Sequence, residues 1–146
     1  MKIDSGCHIT KVRVRYSETD KMGVAYNSHY FTWFEIGRTE LMRDNGITYN
    51  EAEKSGYRFP VIEAGIKYLK PVHYDDVITI KTWLGRKPGV RLRIDYEICR
   101  DNIKLATGFT EHVFTDENLL PRKPPKRFLK KILELWKKNY DLTKAE

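Results

Sequence analysis

Residues 17–46 read SETDKMGVAYNSHYFTWFEIGRTELMRDNG, and the join between their two halves decides the fold. In the second half Tyr30, Phe34, Gly37 and Leu41 recur at spacings of four, three and four, which is one stripe of an α-helix. Asn45-Gly46 supplies its stop, because Gly readily takes the left-handed conformation. Before the stretch, KVRVRYS (11–17) sets Val12, Val14 and Tyr16 against Arg13 and Arg15, the two-residue period of a half-buried strand. After it, a short polar helix is expected around YNEAEKSG (49–56), ending at Gly56.

From Phe59 the period changes to that of strands. Ile62, Ala64, Ile66 and Tyr68 alternate with other residues until Pro71 interrupts. DVITIKTWL (76–84), VRLRIDYEI (90–98) and IKLATGFTEHVFT (103–115) follow, rich in strand-favouring residues, with Gly108 a candidate bulge. GRKPG (85–89) and RDN (100–102) are hairpin-length connections, so these four strands are expected as an antiparallel meander. LLPRKPPKR (119–127) leads into a basic C-terminal helix at about 124–140, with an apolar stripe of Phe128, Ile132, Leu133, Trp136 and Tyr140. A strand, a long helix, four strands and a final helix make a two-layer α+β domain whose sheet curls around the long helix.

The chain has 146 residues, 40% hydrophobic and 32% charged, which suits one globular domain spanning 1–146. Its net charge of +7 favours anionic partners: nucleic acid, acidic lipid or a phosphate-bearing small molecule. No apolar run is long enough to span a bilayer, no leader opens the chain, and Cys7 and Cys99 form no CxxC pair, so a reducing cytoplasmic setting is expected. His8, His29, His73 and His112 are scattered without metal-ligand spacing. HYDD (73–76) reads as a loop turn before a strand rather than a cation site. With no Walker loop, GxGxxG or GxSxG present, any phosphate must be held by Lys and Arg side chains.

The candidate chemistry therefore lies in 17–30. Asn27 or Ser28 is placed to cap the long helix. The free N–H groups of a helix start can polarise a carbonyl and hold the oxyanion formed on attack. Seven residues earlier, Asp20 offers a nucleophile or general base, and Gly23 lets the loop bend closely around a ligand. Two readings stay open on spacing alone: an acyl-transfer site, or ordinary turn chemistry at ETD with Asn27 as a simple cap.

RVRYSETDKMGVAYNSHYFTWFEIGRTELMRDNG (13–46) resembles the signature segment of the hotdog-fold acyl-CoA thioesterases, nearest the 4-hydroxybenzoyl-CoA thioesterase group and its Tol-Pal-associated relatives. The joined pattern Asp-x-x-Gly-Val-x-Tyr and FE-x-x-R-T-E carries it, and IKYLKPVHYDD (66–76) extends it, over roughly Lys11 to Pro121. The resemblance implies a hotdog fold, with a core at about 8–121 and an extra C-terminal helix. It further implies a homodimer or homotetramer with the site between subunits, hydrolysing an acyl-CoA to free acid and CoA. No cofactor is implied beyond the CoA of the substrate, and no metal.

Residue by residue, Asp20 matches the family's catalytic carboxylate and Asn27 the position whose backbone N–H points at the thioester carbonyl. Gly23, Val24 and Tyr26 fall in the motif, with Tyr26 expected to line the acyl pocket and Tyr30 to reach the acyl group. Arg86, Lys87 and Arg91 are the candidates for the CoA phosphates, while Glu35 and Arg38 read as a structural ion pair at i, i+3. Tol-Pal-associated members usually carry His at the position of Asn27; backbone donation survives that change. His29, about 200° further round a helix, is not expected to replace it. Rival readings are an acyl-thioester dehydratase on the same fold and a non-catalytic module binding acyl carrier protein. Nucleic-acid binding is not expected, and contact of the basic C-terminal helix with a membrane surface is a lesser alternative to its packing on the domain.

Overall fold

The computed structural model describes residues 3–4 and 7–144, with side chains over 7–138. In chain order the elements are β1 (Ile3–Asp4), β2 (Cys7–Arg13), α1 (His29–Asp44), α2 (Tyr49–Lys54), β3 (Val61–Tyr68), β4 (Val77–Leu84), β5 (Arg91–Arg100), β6 (Ile103–Val113) and α3 (Lys126–Lys144). The strands form one antiparallel sheet in the order β1-β2-β4-β5-β6-β3. α1 lies across it, giving the α+β hotdog arrangement.

The alternation in β5 turns Leu92, Ile94, Tyr96 and Ile98 inward, all buried. Onto that face α1 lays the expected stripe of Tyr30, Phe34, Gly37 and Leu41, joined by Trp33 and Met42. Two glycines set the depth of contact. A Cβ on Gly37 would stand 2.5 Å from Thr82 Oγ1 and 2.8 Å from Ile80 Cγ2, so the helix rests directly on β4. A Cβ on Gly108 would stand 2.6 Å from the Phe34 ring, which stacks on Tyr96 at 4.3 Å. Gly108 pairs in register with both Tyr96 and Ile66, so it is a notch for Phe34 and not the bulge expected of it. The register shifts fall instead at Ile98/Cys99 and Val61/Glu63.

Three expectations change. The strand expected over KVRVRYS is β2, which runs from Cys7 to Arg13 and stops before Tyr16, because the Glu18 carboxylate takes the Arg15 N–H at 2.8 Å and winds Tyr16–Glu18 into a 3₁₀ turn. The meander holds only for β4, β5 and β6. β2 occupies the free side of β4, from His8↔Thr82 to Arg13↔Val77, so β3 crosses to the opposite edge and pairs with β6. There Val61, Ile62 and Tyr68 remain exposed. In α3, Ile132 and Leu135 are the buried residues; Leu135 lay outside the expected stripe, and the Tyr140 side chain lies outside the described residues. Phe128 stacks on Phe59 at 5.1 Å and so closes the sheet end remote from residue 20. Both glycine stops hold, at Gly46 (φ 73°) and Gly56 (φ 83°). No helix among the described residues is long and apolar enough to cross a membrane.

Candidate active site

The loop between β2 and α1 is a tight turn built on Asp20. Its carboxylate Oδ1 accepts the N–H groups of Met22 (2.8 Å) and Val24 (3.4 Å), while its backbone N–H donates to the Val24 carbonyl at 2.9 Å. Oδ2 makes no hydrogen bond among the described residues, and Asp20 is half-buried. The carboxylate thus serves both readings of the sequence: one oxygen is turn chemistry, the other is available. Gly23 has φ 76° and nothing within 4 Å of where a Cβ would be, so the turn needs glycine and leaves open space beside it. Val24 bridges to His73, and the Ala25 N–H donates to the Val72 carbonyl at 2.7 Å, stitching the loop to the segment before β4.

The helix start differs from expectation in one respect. Ser28 is the cap residue but takes no side-chain bond, and Asn27 precedes the helix in a turn. Of positions 27 and 29 only His29 is helical, so the 200° offset expected between them does not apply. The Tyr26 carbonyl accepts the His29 N–H at 3.1 Å. A trans peptide sets C=O and N–H in opposite directions, so the Asn27 N–H points away from the helix, along the direction of its free N–H groups. It has no acceptor among the described residues. The Asn27 carbonyl is held by the Tyr68 hydroxyl at 3.2 Å. Asp20, Gly23, Val24, Tyr26 and Asn27 thus share one loop, with Tyr26 and Asn27 exposed. Tyr30 does not open on to it: the side chain is 3% exposed, edge-on to Trp33 and Tyr68 at 4.9 Å each, and burial pushes its hydroxyl pKa up.

Sequence reading passed over Glu18. Its carboxylate is buried, takes the Arg15 N–H through Oε1 and the Trp33 indole N–H through Oε2 at 2.9 Å, and so ties the loop to α1. The acidic ETD run was the available signal, but which acid turns inward depends on where Trp33 arrives.

HYDD forms the turn expected of it. Asp76 Oδ2 accepts the His73 N–H (2.8 Å) and an Arg100 N–H (2.7 Å); burial pushes its pKa up, and these two partners outweigh that and hold it below the ordinary value. Arg38 does not pair with Glu35. Burial drives the Tyr49 pKa up to about 12, and the nearby Arg38 charge opposes the same upward push at both Tyr49 and Tyr96.

The basic hairpin is not at this site within one chain. β4 leaves the site end at Val77 and reaches the other end at Leu84, seven steps of ~3.3 Å or about 23 Å away. Arg86, Lys87 and Arg91 therefore lie at the remote end, where Arg86 is paired with the buried Glu111. A groove of about 350 Å³ between α1 and β3, lined by Phe31, Thr32, Glu35, Val61, Ala64 and Thr110, begins one helical turn beyond Asn27. A second cavity, of about 330 Å³ between α2 and α3, sits at the remote end and is lined by none of the loop residues.

Comparison with known proteins agrees with this architecture. The thioesterase-like superfamily profile matches residues 14–133. YneP of Bacillus subtilis, named as an acyl-CoA thioesterase, is 36% identical over 113 residues, covering 75% of this chain and 82% of YneP. Acyl-CoA thioesterase YbgC of Haemophilus influenzae is 27% identical over 122 residues, covering 83% and 88%. Among solved structures, the DHNA-CoA thioesterase of Staphylococcus aureus superposes with a TM-score of 0.76 at 32% identity, covering 94% of this chain and 90% of that one. The α1-wrapped sheet and these relatives together show that the chain belongs to the thioesterase-like superfamily, as a hotdog-fold acyl-CoA thioester hydrolase.

Proposed function

We propose that the chain hydrolyses a short-chain or aromatic acyl-CoA, with Asp20 and the Asn27 N–H as its reacting pair. The observation that carries this is their meeting in one loop: a carboxylate with an unbonded oxygen and an unclaimed N–H aligned with a helix start. The N–H donates to the thioester oxygen and stabilises the oxyanion. Asp20 either attacks the carbonyl carbon, expelling CoA thiolate to leave an acyl anhydride that water opens, or takes the proton from the attacking water. Either route consumes one water and yields acid and thiol. The aromatic option draws support from the DHNA-CoA thioesterase relative, and the groove beyond Phe31 offers it room.

The exposed β3 edge supports a homodimer, since an eight-residue edge with unpaired backbone groups is a template for a second copy. Antiparallel β3–β3 pairing about a two-fold brings the partner's remote end level with this loop. That is the arrangement in which a hairpin carrying Arg86, Lys87 and Arg91 could serve CoA phosphates across the interface. A monomer mass in sedimentation equilibrium at micromolar concentration would remove this part. Cys7 and Cys99 are buried and, among the described residues, in no disulfide, which suits a reducing, cytoplasmic setting.

The test is thiol release over a panel of acyl-CoAs beside Asp20→Asn. Asn keeps the Oδ1 acceptor that Met22 and Val24 need, so the turn persists while the nucleophile or base is lost. Activity should fall by at least about 100-fold; equal turnover in both proteins would sink the assignment.

A further inference from the structure

We infer that Glu18 is a positioning residue for hydrolysis, a tie that helps to fix both halves of the reacting pair relative to each other. The inference rests on the Asp20–Asn27 reading above. Three bonds converge on this one residue. Oε1 takes the Arg15 N–H at 2.8 Å, Oε2 takes the Trp33 indole N–H at 2.9 Å, and the Glu18 carbonyl takes the Tyr26 N–H at 3.0 Å. The first fixes the chain entering the Asp20 turn, the second fixes the first full turn of α1, and the third fixes the Ala25–Tyr26 peptide, one step before the peptide that carries the Asn27 N–H. Thr19 and Ala25 bridge immediately beyond, closing the base of the turn that presents Asp20.

A second path runs from the same carboxylate. Trp33 packs edge-on to Tyr30, Tyr30 edge-on to Tyr68, and the Tyr68 hydroxyl holds the Asn27 carbonyl. Glu18 and Trp33 are both almost fully buried, so water does not soften the link. A carboxylate in the core is costly to desolvate and would not persist for packing alone. What it supplies that an apolar residue would not is a directional bond to each of two elements. A shift near one ångström between an attacking group and an oxyanion donor is enough to lose about 100-fold in rate.

Three variants test this beside Asp20→Asn. Glu18→Gln keeps the shape but turns one acceptor into a donor, so one of the two bonds is lost. Trp33→Phe removes the indole donor. The double variant Glu18→Leu with Trp33→Phe removes the buried carboxylate and the indole donor together; only the Arg15 N–H loses its acceptor, so stability recovers in part. Each variant should show kcat lowered by about 10- to 100-fold with KM within about twofold, and the double variant should keep the low kcat while its melting temperature returns toward wild type. A double variant, or Glu18→Gln should the double not fold, that turns over at the wild-type kcat overturns the inference and leaves Glu18 a stability residue. Full activity in Asp20→Asn would instead remove the underlying site reading, so the two failures are separable.

Discussion

His112 gives the sharpest quantitative test of the core. The ring is 3% exposed, with Nδ1 3.1 Å from the Phe59 carbonyl and Nε2 2.9 Å from Thr110 Oγ1, which lies 2.6 Å from the Tyr96 hydroxyl. A carbonyl only accepts, so Nδ1 carries the proton and Nε2 accepts from Thr110, whose oxygen accepts from Tyr96. Protonating Nε2 would reverse that relay inside the core. Burial, reinforced by the Arg38 charge, lowers the pKa from 6.5 to about 4, against the opposing pull of Phe59 and Glu111. The unfolded chain therefore binds a proton that the folded chain refuses. Stability from this source is complete above pH 6.5 and is lost as pH falls toward about 4, by about 3 kcal/mol in all. About 2 kcal/mol of it should be gone by pH 5. Urea unfolding at pH 7, 6 and 5 should show that decline in the wild type and a much flatter profile in His112→Gln. Asp44 and Asp76, both held below the ordinary carboxylate value, lose their contributions only at lower pH and so do not confound the window. Equal slopes in the two proteins would refute the assignment of a neutral buried His112.

Two further outcomes follow from the packing. Gly108→Ala drives a methyl to 2.6 Å from the Phe34 ring and 2.7 Å from the Gly65 carbonyl; it should cost about 2–3 kcal/mol and lower Tm by roughly 5–10 °C, whereas an unchanged melt would mean that α1 can lift off the sheet cheaply. Arg86→Ala leaves Glu111, whose Oε1 already lacks a partner, buried without its cation. Discounted for the half-exposed guanidinium, the loss should be about 1–2 kcal/mol by urea titration, and the exposed Lys87→Ala on the same hairpin should show none.

The sequence made the helix and the inward strand faces plain because each is a local rhythm: the Tyr30–Leu41 stripe and the Leu92–Ile98 alternation need no knowledge of a partner. Gly46 and Gly56 were likewise legible as stops, since backbone conformation alone decides them. What escaped was decided at a distance. The place of β3 at the far edge depends on β2 having taken the free side of β4. Gly108 looks like a bulge until Phe34 is seen filling its notch. At the site, Asp20 stood out by spacing and by resemblance, yet the division of labour between its two oxygens depends on where the Met22 and Val24 N–H groups point. Glu18 was hidden because its meaning lies in an indole fifteen residues on. Tyr30 has the period of a core residue as well as the place of a pocket residue, and the core reading describes it.

The edge position of β3 has a consequence for how the loop is kept in order. Its partner β6 comes three strands later in the chain, with register running from Tyr68↔Ala106 out to Val61↔His112, so docking β3 closes one of the longest loops in the domain. Within one chain β3 is held on one side only, at high loop cost, and until a second copy covers its edge such an element is among the first to open when the fold breathes. Tyr68, at the end of that strand, is what braces both Tyr30 and the Asn27 carbonyl. Whatever loosens this margin, whether denaturant, heat or a substitution far out along β3, therefore reaches the helix start before the rest of the core has felt it.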